Sequence, residues 1–178
     1  MRTILHTARL TLRELELSDL DFIATLLGDR DVMRFWGRDY NRDESRDWIV
    51  RQRERYASDG QGYWLASDRL TGEPLGQAGV VMQPVHGSEE PGLAYILARA
   101  HWHKGLATEA AAASLDYIRD ALRRPHAVCL VRPENLASIA VARKLGLSEE
   151  MRMEYYGFEH IVFGKTFARP PRTEDASA

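Results

Sequence analysis

The stretch AHWHKGLATEAAAASLDYI, Ala100–Ile118, decides the fold and carries the clearest functional signal in the sequence. It opens as a turn around Gly105 and continues as an alanine-rich apolar run that predicts a helix from about Thr108. A helix N-terminus carries unsatisfied N–H donors and the positive end of the helix dipole, which suit phosphate groups. A glycine just before it lets backbone approach an oxygen closely. Gly105, Ala107 and Thr108 therefore predict a pyrophosphate site, beside which Lys104 adds positive charge.

An ordinary strand-to-helix turn would also explain this glycine, so the turn alone leaves both interpretations open. The sequence contains neither the mononucleotide motif G-x-x-x-x-G-K-[ST] nor the dinucleotide motif G-x-G-x-x-G, so the two common phosphate loops do not account for it. The choice between the interpretations therefore depends on the segments around the turn.

Strands are predicted on both sides of this stretch. Residues 92–99 (GLAYILAR) precede it, and residues 126–132 (HAVCLVR) form a short apolar run typical of a strand buried on both faces. Strand, helix and strand then form a crossover unit whose two strands are parallel neighbours. The following run, RPENLASIAVARKLGL, contains Asn135, which can cap the next helix or bind a ligand, and Ser138 one turn later. Both strand ends thus face one crevice, where such sheets bind ligands.

The remaining elements predict an α/β (α+β) fold with a mixed sheet. Further strands are expected at 9–15, 62–69, 75–82, 149–155 and 160–167, and helices at 19–27, 42–58, 108–123 and 136–145. Because no internal repeat or long linker divides the chain, residues 1–168 are expected to form one domain, followed by a polar, disordered tail at 169–178.

Length and composition restrict the class of protein. The 178 residues suit a single domain, and the net charge of -2 lacks the basic excess of a nucleic-acid-binding protein. No window approaches the roughly 18 apolar residues of a membrane span. The single cysteine, Cys129, lies in an apolar run and is expected to be a buried thiol. We therefore expect a cytoplasmic protein without a nucleic-acid or membrane partner.

Three segments, in this order, make the chain resemble the GCN5-related N-acetyltransferases (GNAT), and among them the branch of ribosomal-protein alanine acetyltransferases (RimJ/RimL-like). They are ARLTLRELELSD, YILARAHWHKGLATEA and ENLASIAVARKLGL, and the likeness covers about Ala8 to Phe167. The superfamily writes its acetyl-CoA loop Gln/Arg-x-x-Gly-x-Gly/Ala, which here runs from Trp102 to Ala107 with Trp in the first place. The resemblance implies helices on both faces of a mostly antiparallel sheet of six to seven strands. Its central parallel pair would splay apart to hold acetyl-CoA.

The resemblance also implies which residues bind acetyl-CoA, the cosubstrate whose acetyl group the family transfers directly to a primary amine. Backbone N–H groups would hold the pyrophosphate, and the pantetheine arm would run between the splayed strands. A strand N–H would stabilise the oxyanion that forms from the thioester. The implied set is His103, Lys104, Gly105, Leu106, Ala107 and Thr108 at the pyrophosphate, with Ile96, Leu97 and Asn135 along the pantetheine.

The thiol leaving group needs a partner, and the usual one is missing. Many superfamily members carry a tyrosine acid where this chain has Ala142. Ser138 matches a serine of the RimJ/RimL-like branch and is our candidate to assist the thiol. A hydrogen bond to backbone within its own helix is the alternative role for Ser138.

The acceptor amine must lose a proton, because α-amines titrate near a pKa of about 8 and lysines near about 10.4. Family members often carry a glutamate early in the fourth strand, but the matching position here is Gly92. Glu154, on the penultimate strand, is our candidate base. Glu89, Glu90 and His160 are alternatives.

The acceptor itself stays open at this stage. The segment Phe35–Gly37 lies where this fold shapes its acceptor site, and a protein N-terminus, a lysine, an aminoglycoside, a polyamine or an amino acid are all candidates. The alternative function is a regulatory module that binds acyl-CoA without efficient catalysis. His101 and His103 flank Trp102, but without a nearby cysteine or acidic ligand we expect no metal. The protein could be a monomer or a homodimer.

Overall fold

Eight strands form one mixed sheet in the computed structural model, which describes residues 2–85 and 87–168. They are β1 (Thr3–His6), β2 (Leu10–Arg13), β3 (Tyr63–Asp68), β4 (Pro74–Val85), β5 (Ser88–Leu97), β6 (His126–Val131), β7 (Ser148–Tyr155) and β8 (Phe158–Thr166). The spatial order is β1-β2-β3-β4-β5-β6-β8-β7, and every neighbouring pair is antiparallel except β5 with β6. The predicted fold class is therefore confirmed, while the predicted tail at 169–178 lies outside the described residues.

Helices cover both faces of this sheet, as expected. They are α1 (Leu20–Gly28), α2 (Arg30–Met33), α3 (Arg42–Ser58), α4 (Leu106–Asp120) and α5 (Leu136–Lys144). Alternate residues of β5 serve different faces, since Leu93 and Leu97 pack in the core with α4 and α5, whereas Ala94 and Ile96 pack in the core with α1 and α3. None of the helices in the described residues is long and apolar enough to cross a membrane.

The sheet has one strand more than the six to seven expected. The alternating N-terminal segment breaks at a turn in which the Thr7 N–H donates to the Leu10 carbonyl at 2.8 Å, and this turn separates β1 from β2. The short helix α2 was also missed, and the Asp29 side chain caps it. The strands expected at 75–82 and 92–99 are longer at their facing ends, because the antiparallel ladder of β4 with β5 continues until Val85 lies opposite Ser88.

The parallel pair β5 and β6 separates almost at once. Gly92 lies opposite Val128, and no second parallel pair follows in the described chain. Each strand instead pairs fully with its outer neighbour, β5 with β4 and β6 with β8. The expected splay is confirmed, and it leaves space between the carboxyl-terminal halves of the two strands.

Candidate active site

The turn between β5 and α4 has the geometry of an anion site. Gly105 caps α4 with φ of 75°, in the left-handed region that favours glycine, and His103 lies in the same region at 60°. The helix begins at Leu106, two residues earlier than predicted. The backbone N–H groups of Leu106, Ala107 and Thr108 therefore lie in its first turn and have no helical acceptor. These donors and the helix dipole together favour a phosphate group here.

A hydrogen-bond network that the sequence analysis missed holds this turn in place. Arg9 donates from Nη1 to the Lys104 carbonyl at 2.9 Å and from Nε to Glu109 at 2.6 Å. Thr7 and the backbone N–H of Arg9 donate to the other Glu109 oxygen at 2.5 and 2.8 Å. Burial alone would raise the pKa of Glu109, but these hydrogen bonds outweigh it and hold the pKa below its ordinary value. Because Thr7 and Arg9 lie 102 and 100 residues from Glu109 in the sequence, no local sequence pattern predicts these hydrogen bonds.

A cavity of about 600 Å³ runs from this turn along β5 to the start of α5. Its lining includes every predicted cofactor residue except one, namely Ile96, Leu97, His103, Gly105, Leu106, Ala107, Thr108 and Asn135. Lys104 is the exception, because its side chain is exposed and its carbonyl is held by Arg9. Trp102 donates from Nε1 to the Leu97 carbonyl at 2.8 Å and so ties the turn to the end of β5. The cavity therefore connects the N-terminus of α4 with the start of α5.

A smaller cavity of about 100 Å³ adjoins the first. The two share the lining residues Phe35, Trp36, Tyr95, Asn135 and Ser138. The remaining walls of the smaller cavity are Tyr63, Gln83, Leu93, Ala94, Cys129, Leu130, Val131, Arg132 and His160. Phe35 and Trp36, expected at the acceptor site, thus line both cavities, and the shared residues mark the junction between the two.

Asn135 and Ser138 both lie at this junction. The side-chain oxygen of Asn135 accepts a hydrogen bond from the Ser138 backbone N–H at 3.2 Å, so Asn135 caps α5. In the part of the chain that the structure describes, the Ser138 hydroxyl makes no hydrogen bond to backbone, and it interacts with the hydroxyl of Tyr95. The backbone-bonding alternative for Ser138 is therefore not what the structure shows.

Tyr95 is a site residue that the sequence analysis missed. Its hydroxyl is buried and makes no hydrogen bond of ordinary geometry within residues 2–85 and 87–168, although it interacts with Ser138. Burial raises the pKa of Tyr95 well above its usual range, Cys129 raises it further, and the contact with Ser138 opposes this only in part. The hydroxyl therefore stays protonated at neutral pH and can donate a hydrogen bond. Its position in β5, in step with Leu93 and Leu97, was the available signal.

The candidate bases differ in whether they line a cavity. Glu154 is exposed on β7, opposite Glu159, and lines neither cavity. Glu89 and Glu90, at the start of β5, line neither cavity either. His160 does line the smaller cavity, where no aspartate or glutamate is among the lining residues.

Within residues 2–85 and 87–168, no group of three or more His, Cys, Asp or Glu residues is placed to hold a metal ion. His101 and His103 instead both line the larger cavity.

The fold and the two cavities together define a class of protein. A splayed parallel strand pair, with free helix N–H groups at one end and a small second cavity at the other, is the arrangement implied for transferases that use a coenzyme A thioester. The donor set at α4 fits the phosphates of such a ligand.

Comparison with known proteins identifies the family. The family model described as acetyltransferase (GNAT) domain matches residues 9–148. The chain is 35% identical over 147 residues to YkkB of Bacillus subtilis, described as uncharacterized, which covers 82% of this chain and 86% of that protein. It is 30% identical over 155 residues to the uncharacterized N-acetyltransferase p20 of Bacillus licheniformis, covering 85% and 86%.

A solved structure supports the same fold. RimL, described as a ribosomal L7/L12 alpha-N-protein acetyltransferase in complex with coenzyme A, superposes with a TM-score of 0.76 at 17% identity, covering 93% of this chain and 98% of that one. The chain belongs to the GNAT acetyltransferase family. It is an acetyl-CoA-dependent acetyltransferase.

Proposed function

We propose that this acetyltransferase transfers the acetyl group of acetyl-CoA directly to the nitrogen of a primary amine. The observation that carries the proposal is the junction of the two cavities at Tyr95, Asn135 and Ser138. A thioester that extends through the larger cavity would there meet an amine held in the smaller one. The descriptions of p20 as an N-acetyltransferase and of RimL as an alpha-N-protein acetyltransferase support an amine acceptor.

Different residues would bind the pyrophosphate and the pantetheine arm of acetyl-CoA. The N–H groups of Leu106, Ala107 and Thr108, with the turn at His103 and Gly105, would hold the pyrophosphate. The exposed Lys104 side chain would add only a screened positive charge from outside the cavity.

The pantetheine arm would occupy the rest of the larger cavity. Ile96 and Leu97 would offer backbone groups along the end of β5, and Asn135 its side-chain amide. Because β5 and β6 share no further ladder pair beyond Gly92 and Val128, backbone groups on the facing edges can serve a ligand.

The residues at the junction would stabilise the charge that develops during transfer. Acetyl-CoA supplies an acyl group activated as a thioester, and the C–S bond breaks as the new C–N bond forms. The protonated Tyr95 hydroxyl and a β5 backbone N–H would donate to the carbonyl oxygen as it becomes an oxyanion, which is supported by the position of Tyr95 at the junction. Ser138, which also lines both cavities, would donate to the departing sulfur.

The amine proton must leave through the smaller cavity, where no aspartate or glutamate is among the lining residues. His160 lines that cavity and is the titratable side chain best placed to accept the proton or to pass it to water. Glu154 lines neither cavity, so it could act only through intervening water.

One observation favours the alternative, a module that binds acyl-CoA without efficient turnover. Ala142, at the position of the family's usual tyrosine acid, is only 1% exposed and packs in the core. With no carboxylate among the smaller cavity's lining residues either, the two groups that many family members use for proton transfer are both replaced.

Calorimetric titration with acetyl-CoA tests the cofactor site. Gly105→Glu places a strained side chain and a negative charge in the anion site, and it should abolish binding. Gly72→Glu is the matched control, because Gly72 has the same left-handed conformation, φ 77°, in a turn with open space around it. Equal binding by wild type and Gly105→Glu would contradict the site, as would no binding by a folded wild type.

Release of free thiol from acetyl-CoA separates the enzyme from the module. We expect thiol release that depends on a primary amine, with the N-acetylated product detected by mass spectrometry. Tight acetyl-CoA binding without amine-dependent thiol release would favour the module.

A further inference from the structure

Buried polar atoms without a partner concentrate at the smaller cavity. Within residues 2–85 and 87–168, six buried side-chain nitrogen or oxygen atoms lack a hydrogen-bond partner. Three of them belong to residues that line this cavity, namely Gln83 Oε1, the Tyr95 hydroxyl and Arg132 Nε. Because proteins pair nearly all their buried polar groups, this concentration indicates groups that are kept for a ligand.

Arg132 supplies the positive charge of the cavity. It directly follows β6, and its guanidinium lies over the Phe158 ring, 4.1 Å from the centroid. Its contact with Glu134 spans 3.5 Å, too long for a good charged hydrogen bond, and that carboxylate side chain is 65% exposed. In the described chain the Arg132 guanidinium makes no hydrogen bond. Its planar donor set is therefore available to an anionic oxygen pair, which is the group that arginine binds best.

Gln83 contributes a neutral hydrogen-bond acceptor to the smaller cavity. Its side chain lies next to Gly92, the position at which family members often carry a charged glutamate. A Cβ added at Gly92, the position of the family's usual glutamate, would lie 2.5 Å from Cγ of Gln83. The Gln83 side chain therefore occupies the space into which a residue at position 92 would extend. Its unpaired oxygen can accept a hydrogen bond from an amine without adding negative charge.

The charge of the smaller cavity also favours some classes of acceptor over others. A polyamine or an aminoglycoside would need carboxylates to replace the hydration of its several charges, and no aspartate or glutamate lines this cavity. The volume of about 100 Å³ holds a handful of non-hydrogen atoms. A small ligand with one amine and one anionic group matches both properties.

Building on the proposed amine acetylation, we propose that the acceptor is a small amino-acid-like zwitterion. The Arg132 guanidinium would bind its carboxylate, and the Gln83 carboxamide oxygen would accept a hydrogen bond from its amine. Tyr95 lies in the same cavity and at the junction, so its hydroxyl would face the acetyl group that the amine attacks.

Matched acceptors test this assignment in the thiol-release assay. The acceptors are α-, β- and γ-amino acids, the carboxamide of each, the corresponding aminoalkylphosphonates, spermidine, and a neutral peptide with a free N-terminus. For the best acid we expect kcat/KM at least about 10-fold above that of its carboxamide. In Arg132→Gln this preference should fall to about 1, because kcat/KM for the acid should fall more than kcat/KM for its carboxamide.

Two further variants control the result. Arg132→Lys keeps the charge but not the planar donor pair, so it should recover only part of the preference. Arg152→Gln, at an exposed position on β7, should leave the preference unchanged.

The outcomes separate failure of this inference from failure of the proposed function. Amine-dependent turnover in which carboxamides, spermidine or the peptide match the best acid would overturn the zwitterion assignment and leave amine acetylation standing. Preference for the phosphonates would replace the carboxylate with a phosphate-like group and overturn the assignment as stated. Acetyl-CoA binding without thiol release for any amine would overturn both.

Discussion

The side-chain oxygen of Asn135 accepts a hydrogen bond from the backbone N–H of Ser138 at 3.2 Å, at the point where the two cavities join. The sequence left two roles open for Asn135, a helix cap and a ligand contact. The structure makes them compatible, because the oxygen serves the cap while the amide nitrogen has no partner among the described residues. The residue that starts α5 can therefore also hold the pantetheine arm.

Two substitutions at Asn135 should separate these roles. Asn135→Ala removes the cap and should lower the free energy of unfolding by about 1 kcal/mol, whereas Asn135→Asp keeps a capping oxygen and should change it little. Both lose the amide N–H donors, so both should weaken acetyl-CoA binding roughly 3- to 10-fold. Denaturant unfolding and calorimetry provide the two measurements. Wild-type affinity in the aspartate variant would show that the amide nitrogen does not contact acetyl-CoA.

Tyr95→Phe should reduce turnover without reducing cofactor binding. Removing a donor aimed at the developing oxyanion should lower kcat roughly 10- to 100-fold. The Kd for acetyl-CoA should stay within about 2-fold, because the neutral pantetheine does not depend on that donor. Steady-state kinetics and calorimetry on the same preparation check both values. Equal losses in kcat and in affinity would instead assign Tyr95 a purely structural role.

The pH profile adds a second test of Tyr95. Burial raises the pKa of Tyr95 beyond the working range, so the hydroxyl remains protonated as pH rises through neutrality. The increase of kcat/KM with pH should therefore reflect loss of a proton from the acceptor amine. Tyr95→Phe should lower this curve without moving its midpoint, and a shifted midpoint would contradict a donor-only role.

Local patterns predicted most of the secondary structure. The helix at 42–58 agrees with α3 at both ends, and its start is marked in the sequence by the capping box of Asn41 and Glu44. The start of α4 was set two residues late because Gly105, rather than a polar side chain, caps the helix. Local sequence thus predicts the type of the longer elements well, but a side-chain cap alone did not reveal the short helix α2, which Asp29 caps.

The cofactor part of the candidate site was predicted more fully than the smaller cavity. The turn from His103 to Thr108 has its own sequence motif, and all of it except Lys104 lines the larger cavity. The smaller cavity instead combines Gln83 of β4, Arg132 just after β6 and His160 of β8 with Phe35 and Trp36 from the segment after α2. Their convergence depends on the sheet order, which local periodicity does not encode.

Glu109→Gln should make the stability of the fold depend less on pH on the acid side of neutrality. Hydrogen bonds from Thr7 and Arg9 outweigh burial and hold the folded-state pKa of Glu109 below its ordinary value of 4.5. The stability due to the ionised carboxylate is therefore fully present above that ordinary value, and it is lost as pH falls through the folded-state pKa.

Thermal unfolding at stepped pH values from about 7 to about 3 measures this effect. The Gln variant should have a lower Tm than wild type at neutral pH, and its Tm should fall less on acidification. Glu154→Gln is a change of the same kind at an exposed position, and its Tm should fall with decreasing pH as steeply as that of wild type. An unchanged acid limb in Glu109→Gln would contradict the linkage.

Cys129 should be unreactive in the native protein, although it lines the smaller cavity. The residue is 4% exposed, and burial raises the pKa of its thiol to about 12. Because the thiolate is the nucleophile, fewer than about one molecule in ten thousand would be reactive at pH 7.5. A disulfide reagent should therefore react with Cys129 only after unfolding, and the thiol-release assay should have almost no protein background. Rapid labelling of the folded protein, slowed by a bound acceptor, would instead show that reagents reach Cys129 through the acceptor cavity.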